Sequence, residues 1–150
     1  MNQPIIEKLT DKDDRYAYAL TEKIASESEK TDTWFGCFDD FIKLLNHPKS
    51  LVRNRAFRLI AANIQWDDQD SFANYLDQFL IHITDEKPIS ARKCIESSAI
   101  IGALKPQYAP KILSTLENAD LSKYKSSMRP LIEKDIQQAV CTLRKVLNLV

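Results

Sequence analysis

The chain has 150 residues, a formal net charge of zero and only two glycines. This length is typical of one domain and is sufficient for a buried core. Gly36 and Gly102 stand alone rather than in the spaced groups that cradle phosphates, which excludes the glycine-loop nucleotide-binding classes. No alternating apolar and polar runs are bounded by turn signals, as strands would require. The composition therefore predicts an all-α protein.

The N-terminal segment MNQPIIEKLTDKDD is unlike a signal peptide, because it lacks both a basic region and a long apolar stretch. The longest apolar run, AIIGAL, is far shorter than the roughly 20 residues that span a bilayer. Cys37, Cys94 and Cys141 are dispersed without paired spacing, which is typical of a reducing compartment and of thiols buried as small apolar side chains. These features predict a cytoplasmic protein that does not associate with membranes.

The first 30 residues predict a short helical hairpin, in which the turn TDKDD separates two stretches with apolar residues at helical spacing. This hairpin is rich in Asp, Glu and Lys, which suits the polar cap at the end of a series of repeated hairpins. Its apolar positions are Ile5, Ile6 and Leu9 before the turn, and Tyr16, Leu20 and Ile24 after it.

Residues 41 to 66, FIKLLNHPKSLVRNRAFRLIAANIQW, form the clearest hairpin pattern in the chain. Pro48 is expected to end the first helix, because it lacks a backbone donor and restricts the residue before it. Ser50 is expected to cap the second helix by accepting a backbone N–H bond. A connection this short makes the two helices antiparallel neighbours.

The pattern returns further along the chain. A shift of 39 residues superposes Arg53 on Arg92, and a further 37 superposes Arg92 on Arg129. Asp67 and Asp68 are expected to cap a helix that begins near Ser71. The hairpin that follows residues 41–66 is the third in the chain. Its first helix has an apolar stripe made of Phe72, Leu76, Phe79, Leu80 and Ile83. Second helices are predicted near residues 12–28, 50–65, 89–104 and 126–147.

Patterns for catalysis and metal binding are weak. His47 lies in a predicted turn and His82 near the end of a helix, beside its core stripe, and neither has a second ligand at metal spacing. Adjacent carboxylates such as Asp67 and Asp68 point about 100° apart on a helix, so they do not form a shared-proton pair. No serine lies in a nucleophile-elbow pattern. The sequence therefore predicts no enzyme activity, no bound metal and no cofactor.

Three strings, NHPKSLVRNRA, DEKPISARKCI and SSMRPLIEKDI, resemble turns of the HEAT repeat family, where an apolar residue and an Arg open the second helix. The longer strings DDFIKLLNHPKSLVRNRAF, HITDEKPISARKCIESS and DLSKYKSSMRPLIEKDI are similar to small bacterial helical-repeat proteins, some of which carry a SufBD-like label. The resemblance implies a right-handed α-solenoid of about four HEAT-like, armadillo-like hairpins that forms a single domain over residues 1–150. It also implies a non-enzymatic scaffold or adaptor, whose second helices line a concave surface for an unidentified protein partner. The cysteines are too far apart to hold an iron–sulfur cluster.

The string HPKSLVRNRAF distantly resembles helical-repeat DNA alkylation-repair glycosylases, which implies an alternative function in nucleic-acid binding. Such binding places basic side chains against phosphates. Leu51, rather than a Trp, precedes the Val52-Arg53 pair, and no residue is carried over from that family as catalytic. The candidate binding surface is made of Arg53, Arg55, Arg58, Trp66, Arg92, Lys93 and Arg129.

The same residues have a structural interpretation. Arg53, Arg92 and Arg129 each open the second helix of a repeat, and the planar guanidinium presents several donors to turn carboxylates, amides or carbonyls. The nearby turn groups are Asn46, Asp85 and Asn118. In this interpretation Trp66 seals the joint between two repeats.

The last helix carries an apolar stripe, one side of which is expected to pack on the helix over residues 108–116. Leu149 and Val150 lie beyond the stripe and predict contact with a second copy or a partner. The sequence therefore predicts a homodimer, or a partner contact, through the C-terminal helix. The stripe consists of Met128, Ile132, Ile136, Ala139, Val140, Leu143 and Leu147.

Overall fold

The structure is a computed structural model that describes residues 3–148, with side chains from Ile5 onward. Leu149 and Val150 lie outside the described residues. Over residues 3–148 all regular secondary structure is helical and no strand occurs, which confirms the all-α prediction. None of the helices in this range is both long and apolar enough to cross a bilayer. The chain divides into two compact units, Met1–Phe72 and Ala73–Val150.

The first unit holds two hairpins, each with a short first helix and a longer second one. They are α1 (Gln3–Leu9) with α2 (Asp14–Ser28), and α3 (Phe38–Lys43) with α4 (Ser50–Asn63). Helix α4 packs on both α2 and α3, because its apolar face is nearly continuous. The core between them contains the fully buried side chains of Ile24, Phe41, Leu45, Phe57, Leu59 and Ile60.

The second unit also holds two hairpins. They are α5 (Leu76–Leu80) with α6 (Pro88–Leu104), and α7 (Ala109–Glu117) with α8 (Arg129–Val146). Helix α6 packs on α7 and α8 and forms the centre of the unit. The predicted first helix of the third hairpin is broken, since α5 is only five residues long and is flanked by 3₁₀ segments, Ser71–Tyr75 and Ile81–Thr84. Its apolar stripe is nevertheless buried as predicted.

The second helices occur where the sequence predicted them, and within each unit they run parallel. In the first unit, Arg55 of α4 lies beside Asp14 at the start of α2, and Asn63 beside Ser28 at its end. In the second unit, Arg92 of α6 contacts Asp135 of α8. Further along, a Cβ on Gly102 would meet the Leu143 side chain, so the helices approach closely there.

The four hairpin turns share one hydrogen bond. In each turn, a side chain accepts from the backbone N–H of the residue two positions later, and three of those N–H groups belong to the N-cap residue of the following helix. The four pairs are Asp11 with Asp13, His47 with Lys49, Asp85 with Lys87, and Asp120 with Ser122. This recurrence supports the internal repeat inferred from the sequence.

Two predicted caps have different outcomes. Ser50 does not cap α4: it is the first helical residue, and the N-cap position belongs to Lys49, which makes no side-chain capping bond. The bond from Lys49 N–H to His47 Nδ1 organises this turn instead. Asp67 does cap the segment at Ser71, because its carboxylate accepts from the backbone N–H groups of Ser71 and Phe72.

Two further expectations require correction. His82 is buried, whereas the sequence placed it beside the core stripe. Its Nδ1 lies 2.8 Å from Asp85 Oδ2 within the α5–α6 turn. Cys37 and Cys94 are buried as expected, but Cys141 is exposed. Helix α8 covers the core with Ile132, Ala139 and Leu143, and Cys141 points away from that face.

Candidate functional site

Arg53 and Arg129 are bound to their own turns. Arg53 Nη1 donates to the carbonyls of His47 at 3.0 Å and Pro48 at 3.1 Å, and its side chain is buried. Arg129 Nε donates to the carbonyl of Tyr124 at 3.1 Å. For these two residues the predicted structural bonding of Arg to turn carbonyls is confirmed.

Arg92 has a different partner from the one expected. Its guanidinium binds Asp135 of α8, with Nε 2.6 Å from Oδ2, rather than Asp85 in the preceding turn. The hydrogen bond to Asp135 raises the pKa of Arg92. The shared turn bond matches His47 with Asp85, and so places Ala91, which is also buried, at the position of Arg53. Arg92 is therefore one residue further on and points about 100° away, toward α8.

Arg55 and Arg58 fasten α4 to the first hairpin. Arg55 Nη1 donates to the carbonyl of Leu9 at 2.7 Å and Nη2 to Asp14 Oδ1 at 2.9 Å. Lys49 Nζ lies 2.7 Å from the same Asp14 oxygen. The Lys49 ammonium and then the Arg55 guanidinium lower the pKa of Asp14. Arg58 Nε forms a longer ion pair with Glu22, at 3.4 Å.

Trp66 bonds to the end of α2. Its Nε1 donates to the carbonyl of Ser28 at 2.7 Å, one of the carbonyls that the helix end leaves without an intrahelical partner. The Nδ2 atom of Asn63 also binds the Ser28 side chain, at 3.1 Å. Trp66 therefore bonds back to the first hairpin, whereas the sequence placed it at the joint that follows the hairpin of residues 41–66.

Lys93 is the exception in the candidate set. It is exposed, and among residues 3–148 its side chain forms no ion pair or hydrogen bond. It lies on the edge of a groove of about 660 Å³ between α6 and α8, called here the α6–α8 groove. Ile89, Ile95, Ala99, Ile100 and Ala103 of α6, with Ala139 of α8, provide its apolar lining, and Arg92, Lys93, Glu96, Asp135, Gln138 and Thr142 its polar lining.

The structure brings only Arg92 and Lys93 of the seven predicted residues into this groove. Its apolar lining was not predicted, because helical periodicity in the sequence marks only the stripe that faces the core. A signal was present in α6, where Ile89, Ile100 and Leu104 lie outside the core-facing positions. All three are exposed, by 51%, 40% and 48%.

A second groove, of about 670 Å³, lies on the other side of α8 and is called here the α7–α8 groove. The Glu117–Arg144 ion pair crosses it. Its lining residues are Leu116, Glu117, Ile136, Gln137, Val140, Cys141, Arg144 and Lys145.

Lys123 and Tyr124, which precede α8, bond to the turn between α5 and α6. Tyr124 Oη donates to the carbonyl of Asp85 at 2.5 Å, and Lys123 Nζ donates to that of Thr84. Burial raises the pKa of Tyr124 to about 12. His82 and Asp85 belong to the same cluster. Over the described part of the chain no group of three or more His, Cys, Asp or Glu side chains is arranged to hold a metal ion.

No protein-family model matches the chain, and neither the curated proteins nor the solved structures provide a match.

Proposed function

We propose that the chain is a non-enzymatic adaptor that binds an amphipathic helix of a partner protein in the α6–α8 groove. The observation that carries this proposal is an apolar groove between two parallel helices with unpaired charges on its edge. Grooves of this kind are used by many proteins to bind a helix through apolar residues three and four positions apart.

The length of the groove suits a helix of about four turns. Its α6 wall runs from Ile89 to Ala103, which corresponds to about 21 Å at about 1.5 Å per residue. Ala99, Ala103 and Ala139 are small, so bulky side chains of an incoming helix find room above them. Ile89 and Ile100 are exposed at its edge and would lose contact with water on binding.

The charges specify the partner further. Lys93 and Glu96 are exposed and lie one helical turn apart on α6, and neither forms an ion pair among residues 3–148. Arg92 and Asp135 neutralise each other. A complementary helix carries an acidic residue opposite Lys93 and a basic residue opposite Glu96, with apolar residues between them. Such pairs contribute more to partner selection than to affinity.

The larger architecture belongs to the same proposal. The shared turn bond and the parallel second helices within each unit support a right-handed, HEAT-like solenoid of four hairpins. Three free cysteines, two of them buried, support a reducing, cytoplasmic location.

Nucleic-acid binding is the alternative that the sequence left open. It requires basic side chains that are free to meet phosphates. Arg53, Arg55, Arg58, Arg92 and Arg129 instead donate to carbonyls or carboxylates of the chain itself. This bonding favours the protein adaptor over the nucleic-acid binder.

The test compares two alanine-to-arginine variants. Ala103→Arg fills the groove, whereas Ala73→Arg makes the same change at an exposed alanine in a 3₁₀ segment. We expect a protein partner captured from the native host to bind the wild type and Ala73→Arg. The same partner should not bind Ala103→Arg. Hydrogen exchange on the complex should then show protection over residues 89–103 and 135–142.

Two results would overturn the proposal. One is a partner that binds Ala103→Arg as well as the wild type. The other is binding to DNA or RNA oligonucleotides that weakens steeply with salt and is lost in Lys93→Glu.

A further inference from the structure

The outer face of α8 presents apolar residues that the other described elements cover only in part. Ile136 and Val140 are half-buried, and with Leu116 of α7 they line the α7–α8 groove. By contrast, Ile95 of α6, which lies beside α8, is almost completely buried. The face of α8 therefore resembles a helix surface that lacks its neighbour.

A comparison of α6 with α8 shows which residues would meet that neighbour. Aligning their first residues, Pro88 and Arg129, places the three buried residues of α8 on buried residues of α6: Ile132 on Ala91, Ala139 on Ser98 and Leu143 on Gly102. Ile95 then corresponds to Ile136, Ala99 to Val140, and Arg92 to Glu133.

The charge at the last of these positions is reversed. In α6, Arg92 binds Asp135 of the helix that packs against it. In α8, Glu133 occupies the corresponding position, so a helix packed on α8 must place a cation there. Arg144 supplies such a cation three turns further along the same face of α8, beside Val140.

We propose that the occupant of this face is a second copy of the chain, with the two α8 helices packed antiparallel about a two-fold axis. This orientation places Glu133 of each copy opposite Arg144 of the other, whereas a parallel pair would place like charges together. Arg144 would then lie between Glu117 of its own chain and Glu133 of its partner. Lys134 and Lys145 fall at the edge of the face, where contact between exposed charges is weak.

A two-fold contact closes on itself, so the expected species is a dimer rather than a fibre. The midpoint between Glu133 and Arg144 lies at residues 138–139, and Cys141 is therefore less than one helical turn from the axis. Cys37 and Cys94 are buried. A short bifunctional thiol reagent should consequently link two chains through Cys141.

The first experiment measures the mass of the full chain by light scattering in reducing buffer over a concentration series. We expect the wild type to reach the mass of a dimer and Val140→Glu to remain a monomer. Tyr18→Glu, which places the same charge at an exposed aromatic residue of α2, should dimerise as the wild type does. Circular dichroism should show that all three are equally helical.

The second experiment tests the orientation by exchanging charges. Glu133→Arg alone and Arg144→Glu alone should each raise the dimer dissociation constant by about tenfold or more. The double variant Glu133→Arg with Arg144→Glu should recover most of the affinity lost by Arg144→Glu, because the intermolecular pair is rebuilt with its signs reversed.

Three outcomes would overturn the inference: a wild type that is monomeric at every concentration, a Val140→Glu variant that dimerises normally, or a double variant no better than Arg144→Glu. If the wild type is monomeric while Val140→Glu loses a captured host protein, the face binds another protein and the second copy is wrong. None of these results bears on the α6–α8 groove, because Ala103 and Val140 line different grooves.

Discussion

Arg92 of α6 and Asp135 of α8 are joined by two hydrogen bonds, from Nε to Oδ2 at 2.6 Å and from Nη2 to Oδ1 at 3.4 Å. The guanidinium and the carboxylate come from the second helices of adjoining hairpins, and they line the α6–α8 groove. The pair thus links the two helices at the groove, and the two charges of its lining neutralise each other.

Arg92→Ala should lower the free energy of unfolding, because Asp135 loses its partner. The side chains are 36% and 21% exposed, so solvent screens the pair and we expect a loss of about 1 kcal/mol. Urea denaturation measures this loss. Lys93→Ala serves as the control. Because Lys93 is exposed, this variant should unfold at the same urea concentration as the wild type. An Arg92→Ala variant that unfolds like the wild type yet loses a partner would assign Arg92 to binding instead.

Arg55 and Arg58 provide a matched pair on α4. The Arg55 side chain is 6% exposed and bonds to Leu9 and Asp14, whereas Arg58 is 38% exposed with one longer ion pair. Arg55→Ala leaves a buried carbonyl without its donor, so we expect a loss of about 2–3 kcal/mol. Arg58→Ala should cost about 0–1 kcal/mol. Equal losses in urea denaturation would contradict the assignment of Arg55 as the residue that anchors the first hairpin.

For the three arginines that open second helices, the sequence predicted bonds within the same turn better than bonds to a distant helix. Arg53 and Arg129 reach carbonyls five or six residues away, so turn and helix geometry alone determine their partners. Arg92 reaches across 43 residues, and a register error of one position was enough to suggest Asp85 instead of Asp135. The all-α class and the second helices follow from apolar periodicity in the same local way.

The grooves could not be predicted in that manner. Whether Ile100 of α6 or Val140 of α8 is covered depends on where a neighbouring helix lies, and periodicity describes only the face toward the core. Cys141 illustrates the limit, because a cysteine is usually buried but this one lies on the outer face of α8. Its place on the helix, two residues after the buried Ala139, was the available signal.

Acid should weaken the first unit through Asp14. Lys49 and Arg55 lower the pKa of Asp14 in the folded chain below its ordinary value of 3.8. The stabilisation by the carboxylate is therefore complete above about pH 3.8 and is lost as the pH falls from there through the folded pKa. Urea midpoints measured from neutral to acidic pH should fall less steeply for Asp14→Asn than for the wild type. The exposed Asp68→Asn variant should follow the wild-type curve, and an Asp14→Asn curve parallel to the wild type would refute this role.

Alkali should weaken the second unit through Tyr124. The phenol donates to the carbonyl of Asp85, and burial raises its pKa to about 12 from an ordinary 10.0. The folded chain therefore holds this proton more tightly than the unfolded chain, so stability is complete below about pH 10 and is lost between about pH 10 and 12. Tyr124→Phe removes the donor and should cost about 1 kcal/mol at neutral pH. It should also remove this alkaline loss, whereas Tyr18→Phe, at an exposed tyrosine, should change neither quantity. Urea denaturation at neutral and alkaline pH tests both expectations, and a Tyr124→Phe variant that loses stability in alkali as the wild type does would show that another group titrates.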